Sequence, residues 1–316
     1  MPPIEPSSGR IENPRFRADW IMLKPVNRKK LAILISFATV FAIFGGIYLF
    51  VASMLSQPSN IDTLVLRPKP ANKSYEADPV AGSKKTSLFI QAKDGFKIHA
   101  WLFRVPNSTK LTIVSHGNAG NVSNRFYIAD ALVKAGSSAL VYDYRGYGLS
   151  TGSPTISGIL EDGLTVYDYA RDKMHYPANE ILLYGESIGT AVTCHIASQR
   201  QVAAVILQSG IANLPSVAKH LFVLLNIYPD FVLPEPHLDN AKLISKLNVP
   251  LLILHGRKDT LVPFENSEQL FSNAHEPKKL VILDNCGHND MGVQDTELFL
   301  GSIKKFIAQV QRLTRI

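Results

Sequence analysis

Cysteine is nearly absent from this chain: Cys194 and Cys286 are the only two in 316 residues. No disulfide framework can be built from them, and two cysteines without ligand spacing argue against a structural zinc site. Cys194 falls in a helical run and reads as a small buried apolar residue rather than as half of a bridge to Cys286. No internal repeat or low-complexity tract is visible, so a repeat array is excluded. No basic stripe accompanies the net charge of +7, and no nucleic-acid-binding motif occurs, so nucleic acid is not an expected partner. Residues 1–30 hold seven bases against Glu5, Glu12 and Asp19, and so carry +4 of that charge.

Charge is missing altogether from Leu31 to Leu55, a run of 25 residues. As a helix it would be ~37 Å long at ~1.5 Å per residue, enough to cross a hydrocarbon core of about 30 Å with some tilt. A signal peptide has an apolar region of only about 7–15 residues. No small-x-small cleavage site ends this run, so an uncleaved transmembrane helix is expected. Arg10, Arg15, Arg17, Lys24, Arg28, Lys29 and Lys30 precede it; Arg67, Lys69 and Lys73 are the bases in the twenty residues after it. That asymmetry places the N-terminus in the cytoplasm and the rest of the chain on the far side. The basic cluster abutting the span also suits anionic head groups.

What is present is a strand–turn–helix pattern around one serine. Glu180 to Tyr184 reads as a buried strand and Thr190 to Ser198 as a helix. Between them stands Gly185-Glu186-Ser187-Ile188-Gly189, a G-x-S-x-G pentapeptide in the setting of a nucleophile elbow. The turn holds the serine in a strained conformation among small neighbours, and the helix N-terminus favours developing negative charge. A serine hydroxyl needs a histidine to take its proton and a carboxylate to orient that histidine. The strand Asn248–Gly256 leads directly to Asp259, and the strand Lys279–Leu283 leads to the loop Gly287-His288-Asn289-Asp290. Of nine histidines, His288 alone lies on a loop after the last strand. His255 precedes the Asp259 loop and is expected to bond a turn. The strand 202–208 is followed by no acid before Asp230, so Asp259 is chosen largely by elimination, with Asp284 and Asp290 as rivals close to His288. Oxyanion stabilisation needs two backbone N–H donors. One is Ile188; the other is expected from Asn118, with Ala119 as the fallback, in His116-Gly117-Asn118-Ala119-Gly120-Asn121. His116 is expected to brace that loop.

These pieces, with Asp143-Tyr144-Arg145-Gly146-Tyr147-Gly148-Leu149-Ser150 and Gly256-Arg257-Lys258-Asp259, make the chain resemble the α/β-hydrolase superfamily. More narrowly, it resembles the membrane-anchored α/β-hydrolase domain-containing proteins and the fungal bud-emergence hydrolases, over roughly residues 86 to 316. The resemblance implies a mostly parallel twisted sheet with helices on both faces and a short lid. It implies Ser187, Asp259 and His288 as catalytic residues, no cofactor and no metal. It also implies an acyl ester, thioester or lysophospholipid as substrate. Relatives that remove palmitate from cytosolic proteins attach through a cysteine-rich N-terminus, which this chain lacks.

The expected organisation is a cytoplasmic segment 1–30, the span 31–55, a proline-containing tether 56–85 and the hydrolase domain 86–316. From Leu111 onward strands and helices alternate, as in a parallel sheet covered on both faces. Thr296 to Leu313 carries apolar residues at helical spacing. Between Gln208 and Leu251 the chain is too long for one crossover helix. About 211–240 is read as a lid, with Leu221, Phe222, Leu225 and Tyr228 lining an acyl pocket; a core helix with a long loop is the alternative. The expected function is a membrane-bound serine hydrolase of acyl esters. A protein acyl-thioesterase, a serine peptidase and a non-catalytic binding protein on the same fold are the alternatives.

Overall fold

The computed structural model describes residues 27–71 and 80–313. Most of the segment 1–30 and Lys73, used above for charge counting, lie outside the described residues. Two compact units divide at Phe50 and Val51. Helix α1 runs Arg28–Leu55, 28 residues with no buried side chain, and a mean hydropathy of 2.3 makes it long and apolar enough to cross a membrane. Two of its hydroxyls bond back to the helix: those of Ser36 and Thr39 donate to the carbonyls of Ala32 and Ile35, both at 2.9 Å. That removes two donors an apolar solvent could not satisfy.

The second unit is built on β1 (Arg67–Pro68), β2 (Lys84–Gln91), β3 (Lys97–Arg104), β4 (Leu111–Ser115), β5 (Ala119–Gly120), β6 (Ser138–Tyr142), β7 (Ile181–Glu186), β8 (Ala204–Gln208), β9 (Leu251–Gly256) and β10 (Lys278–Leu283). Eight of these form one sheet in the order β10-β9-β8-β7-β4-β6-β3-β2. β2 and β3 pair antiparallel, as do β3 and β6; every other pair is parallel. The helices are α2 (Pro58–Val65), α3 (Phe126–Lys134), α4 (Ile156–Asp172), α5 (Gly189–Gln199), α6 (Leu214–Leu221), α7 (Asn240–Ile244), α8 (Glu265–Asn273), α9 (Met291–Gln294) and α10 (Thr296–Leu313).

Strands β4, β6, β7, β8 and β9 are buried at every position, as parallel strands covered on both faces must be. Their alternate side chains feed two separate cores. Ile181 and Leu183 pack with α4, α5, α7 and α8; Leu182 and Tyr184 pack with α3 and α10. The sheet is therefore a rigid central layer, and the loops at the C-terminal ends of its parallel strands share one edge, where such sheets place ligands.

Within the expected tether 56–85, the described residues 56–71 are instead folded into a helix and a short strand. Pro58 opens α2, where its missing N–H costs nothing and its φ suits a first turn. Ile61, Leu64 and Val65 fall at i, i+3 and i+4 on one face, and Ile61 and Leu66 join the core. The Asp62 carboxylate accepts from Ile156 N at 2.7 Å, and β1 pairs in parallel with β5. An eight-residue helix is too short to give a strong periodic signal, and its stability comes from these tertiary partners.

Candidate active site

Ser187 lies at the end of β7 with φ of 54°. A serine there is strained by about 1–3 kcal/mol, and the surroundings leave no alternative. Its own N–H is engaged by Gln208 O at 2.9 Å. A Cβ on Gly185 would sit 2.6 Å from Gly189 O and Thr190 Cα, and one on Gly189 would sit 2.0 Å from Ser115 O. Both positions must be glycine for α5 to start this close to β4. The turn leaves the serine half-buried at the start of α5.

Asp259 follows β9 and is locked on both oxygens. Oδ1 accepts from Leu261 N and Val262 N, each at 2.9 Å. Oδ2 lies 2.7 Å from His288 Nδ1 and 3.4 Å from His255 Nε2. Burial alone would raise this carboxyl. Hydrogen bonds from His255 and His288, the charge of His288 and the Val262 N–H together bring it well below the usual carboxylate range. An ionised Asp259 only accepts, so His288 Nδ1 carries the proton and Nε2 is left with its lone pair. His255 is buried, with Nδ1 2.6 Å from Ser267 Oγ and Nε2 3.0 Å from Val262 O, so it closes the turn. The rival acids are engaged elsewhere: Asp284 with Arg257 at 2.6 Å, and Asp290 with Gly287 N at 2.7 Å.

The loop after β4 runs beside the elbow. The N–H groups of Asn118 and Ile188 donate to no other described residue. Asn118 is clipped in place by its other groups: Nδ2 donates to Val65 O at 2.8 Å, and its carbonyl accepts from Arg67 N at 3.1 Å and Tyr147 OH at 2.8 Å. His116 is buried against Tyr144 and Tyr147, with Nδ1 2.6 Å from Gly117 O, and so belongs to the loop's support.

A second brace was not anticipated from the sequence. Glu186, beside the nucleophile, is buried with Arg125 Nε 2.6 Å from its Oε2. The same oxygen accepts from Gly117 N at 2.9 Å, and Oε1 accepts from Tyr127 OH at 2.9 Å. Arg125 also donates to Ala119 O at 2.9 Å. One ion pair thus holds the residues on either side of Asn118. Burial would raise Glu186, but the Arg125 charge, the Gly117 N–H and the Tyr127 hydroxyl bring it below the ordinary glutamate value. An acid at the end of a buried strand calls for a charged partner; nothing in the sequence says that the partner is Arg125.

Ser187, His288, Asn118 and Ile188 line one cavity of about 250 Å³. Its remaining walls are almost wholly apolar. The segment after β8 contributes Leu214, Val217, Leu221, Phe222, Leu225 and Leu233, and α2 contributes Ile61, Leu64 and Val65. Three of the four expected pocket residues, Leu221, Phe222 and Leu225, are on this wall. Tyr228 is not: it is buried, 6% exposed, and closes the 3-10 turn Val223–Ile227 with its N–H on Leu225 O.

Comparison with known proteins agrees with this architecture. A family model described as serine aminopeptidase, S33, matches residues 106–244. An uncharacterized protein of Mycobacterium tuberculosis is 32% identical over 228 residues, covering 70% of this chain and 79% of its own. The uncharacterized protein YfhR of Escherichia coli (strain K12) is 30% identical over 231 residues, covering 70% and 78%. Among solved structures, an esterase of Pyrococcus furiosus superposes with a TM-score of 0.65 at 18% identity, over 78% of this chain and 98% of that one. Est1E of Butyrivibrio proteoclasticus, solved with ferulic acid bound, gives 0.61 at 25% identity, over 71% and 99%. The fold and these likenesses define an α/β-hydrolase, and the chain belongs to that superfamily, in the family it shares with YfhR. Family and fold together support a hydrolase.

Proposed function

We propose that this protein is a membrane-anchored serine esterase acting on apolar acyl esters through Ser187, His288 and Asp259. The observation that carries the reading is a conjunction. A strained serine at an elbow lines the same apolar cavity as a histidine whose far nitrogen is fixed by an ionised, buried aspartate. In the first half-reaction Ser187 Oγ attacks the ester carbonyl while His288 Nε2 takes its proton. The oxyanion of the tetrahedral intermediate takes hydrogen bonds from the N–H groups of Asn118 and Ile188. Collapse expels the alcohol, protonated by His288, and leaves the acyl group on Ser187. Water then repeats the cycle and releases the acid. Asp259 keeps Nδ1 protonated and stabilises the imidazolium, without itself taking the proton.

The cavity walls favour an apolar acyl chain over a peptide. An aminopeptidase needs an acid to hold the substrate's ammonium group, and among the described residues no Asp or Glu lines this cavity. A thioester carbonyl follows the same route, so ester against thioester is a matter for direct assay. Helix α1 supplies the anchor in this reading, and the charge asymmetry around it directs the hydrolase unit away from the cytoplasm.

Ser187→Ala in the full-length protein should abolish both p-nitrophenyl ester hydrolysis and labelling by a fluorophosphonate probe, with the thermal transition retained. Labelling that persists in the variant would overturn the assignment.

A further inference from the structure

Among the described residues lining the catalytic cavity, Arg67 alone carries a permanently charged side chain. It is exposed and forms no ion pair among the described residues. The nearest acid in sequence, Asp62, is occupied by Ile156 N at 2.7 Å. The position of Arg67 is not left to a loose chain. Its N–H donates to Asn118 O at 3.1 Å, and β1 runs in register with β5, Arg67 opposite Ala119. Arg67 therefore stands directly beside the residue whose N–H is assigned to the oxyanion, at the boundary between an apolar cavity and solvent.

We propose that Arg67 forms an anion subsite, and that the substrate is an acyl ester bearing an oxyanion group, phosphate or carboxylate, close to the scissile bond. The inference rests on the esterase reading above and deepens it. A neutral ester would leave this guanidinium without a charged partner among the described residues, at the mouth of a cavity whose other described walls are almost wholly apolar. An amphiphile with one acyl chain and one anionic group satisfies both surfaces at once: the chain removes apolar area from water, and a planar guanidinium meets the oxyanion with paired hydrogen bonds. Solvent exposure makes the contact sensitive to salt. Because β1 fixes the Arg67 backbone to the Asn118 loop, the subsite measures a set distance from the carbonyl carbon. It therefore discriminates by where the charge lies as well as by its presence.

The test is equilibrium binding, which does not depend on turnover. Full-length protein in detergent micelles is titrated with three non-hydrolysable ligands of one chain length: an alkylglycerol, its phosphate and a carboxylate counterpart. The unsubstituted protein should bind both anionic ligands more tightly than the neutral one, and the order of the two identifies which oxyanion the subsite suits better. In Arg67→Gln the ratio of anionic to neutral affinity should fall on the order of tenfold. Arg67→Lys, which restores the charge without the planar fork, should recover most of the ratio for one anionic ligand and less for the one held bidentately. Raising the salt concentration should lower the ratio in the unsubstituted protein and leave it flat in Arg67→Gln. An equal ratio in all three proteins, or a salt response that survives Arg67→Gln, overturns the proposal. Failure of the esterase reading shows up separately, as binding without ester turnover or fluorophosphonate labelling.

Discussion

Glu186 and Asp259 are two buried carboxylates with different tasks. Asp259 orients the imidazole, so Asp259→Asn should favour the wrong tautomer and cost on the order of 10⁴-fold in kcat, read from burst-phase kinetics with a chromogenic ester. An undiminished rate would remove Asp259 from the mechanism. Glu186 touches no reacting atom in this picture and acts as a positioning residue. Glu186→Gln leaves the Arg125 charge uncompensated, at a cost of about 3–5 kcal/mol. It should also loosen the grip on Gly117 and Ala119, lowering kcat more than it raises KM.

Both carboxyls sit below their ordinary values in the folded protein. Their contribution to stability is therefore complete above the unfolded values of about 4. It is lost as pH falls through the folded ones. Chemical denaturation from about pH 5 down to about pH 2 should accordingly show a weaker acid dependence in Glu186→Gln than in the unsubstituted protein; equal slopes would mean that Glu186 is not held as the ion pair requires. Cys194 provides a contrast. Burial alone pushes its thiol up to about 12, which leaves it inert as a nucleophile.

At the scale of elements, the cavity is a joint product of two short segments, α2 and the stretch after β8. Helix α6 is capped by Asn213, whose side chain accepts from Ser216 N, and runs into the turn Val223–Ile227. The apolar stripe Leu214, Val217, Ala218 and Leu221 falls on one side of α6 at helical spacing and meets the cavity. If Phe222 contacts the acyl chain, Phe222→Ala should reduce kcat/KM for long esters and spare butyryl esters. The loss should grow with chain length by about 0.8 kcal/mol for each methylene that the ring covers. An equal loss on short and long esters, with a lowered melting temperature, would make Phe222 a packing residue only. Tyr228 supplies an internal control: it is buried away from the cavity, so Tyr228→Ala should lower stability without a change in chain-length preference.

For the whole molecule, the proposed membrane location rests on the 25 uncharged residues 31–55 and the bases that flank them. Deleting 31–55 should move the protein from the membrane pellet to the soluble fraction. A glycosylation or protease-protection reporter fused after Ile316 should lie on the non-cytoplasmic side. A cytoplasmic reporter would reverse the orientation and leave the chemistry as it is.

Much of this organisation is written along the chain. Fully apolar runs such as Ile181–Tyr184 and Leu251–Leu254 admit only strands buried on both faces. The spacing of apolar residues from Thr296 to Leu313 marks α10 end to end. Gly185 and Gly189 bracket Ser187 because no other residue clears Gly189 O and Ser115 O. The order of Ser187, Asp259 and His288 then follows from which loops leave the sheet at the same edge. What the chain does not reveal is pairing across long separations with no local signature. Arg125 finds Glu186 across 61 positions, and α2 meets the Asn118 loop across 53. The prolines of 58–70 read locally as a tether, since proline lowers the apparent propensity for regular structure. Only the folded sheet supplies the carbonyls, carboxylate-capped N–H groups and apolar wall that make α2 and β1 stable. The position of Arg67 beside the oxyanion loop is therefore a property of the tertiary structure, because a single backbone hydrogen bond to Asn118 and a two-residue pairing with β5 decide it.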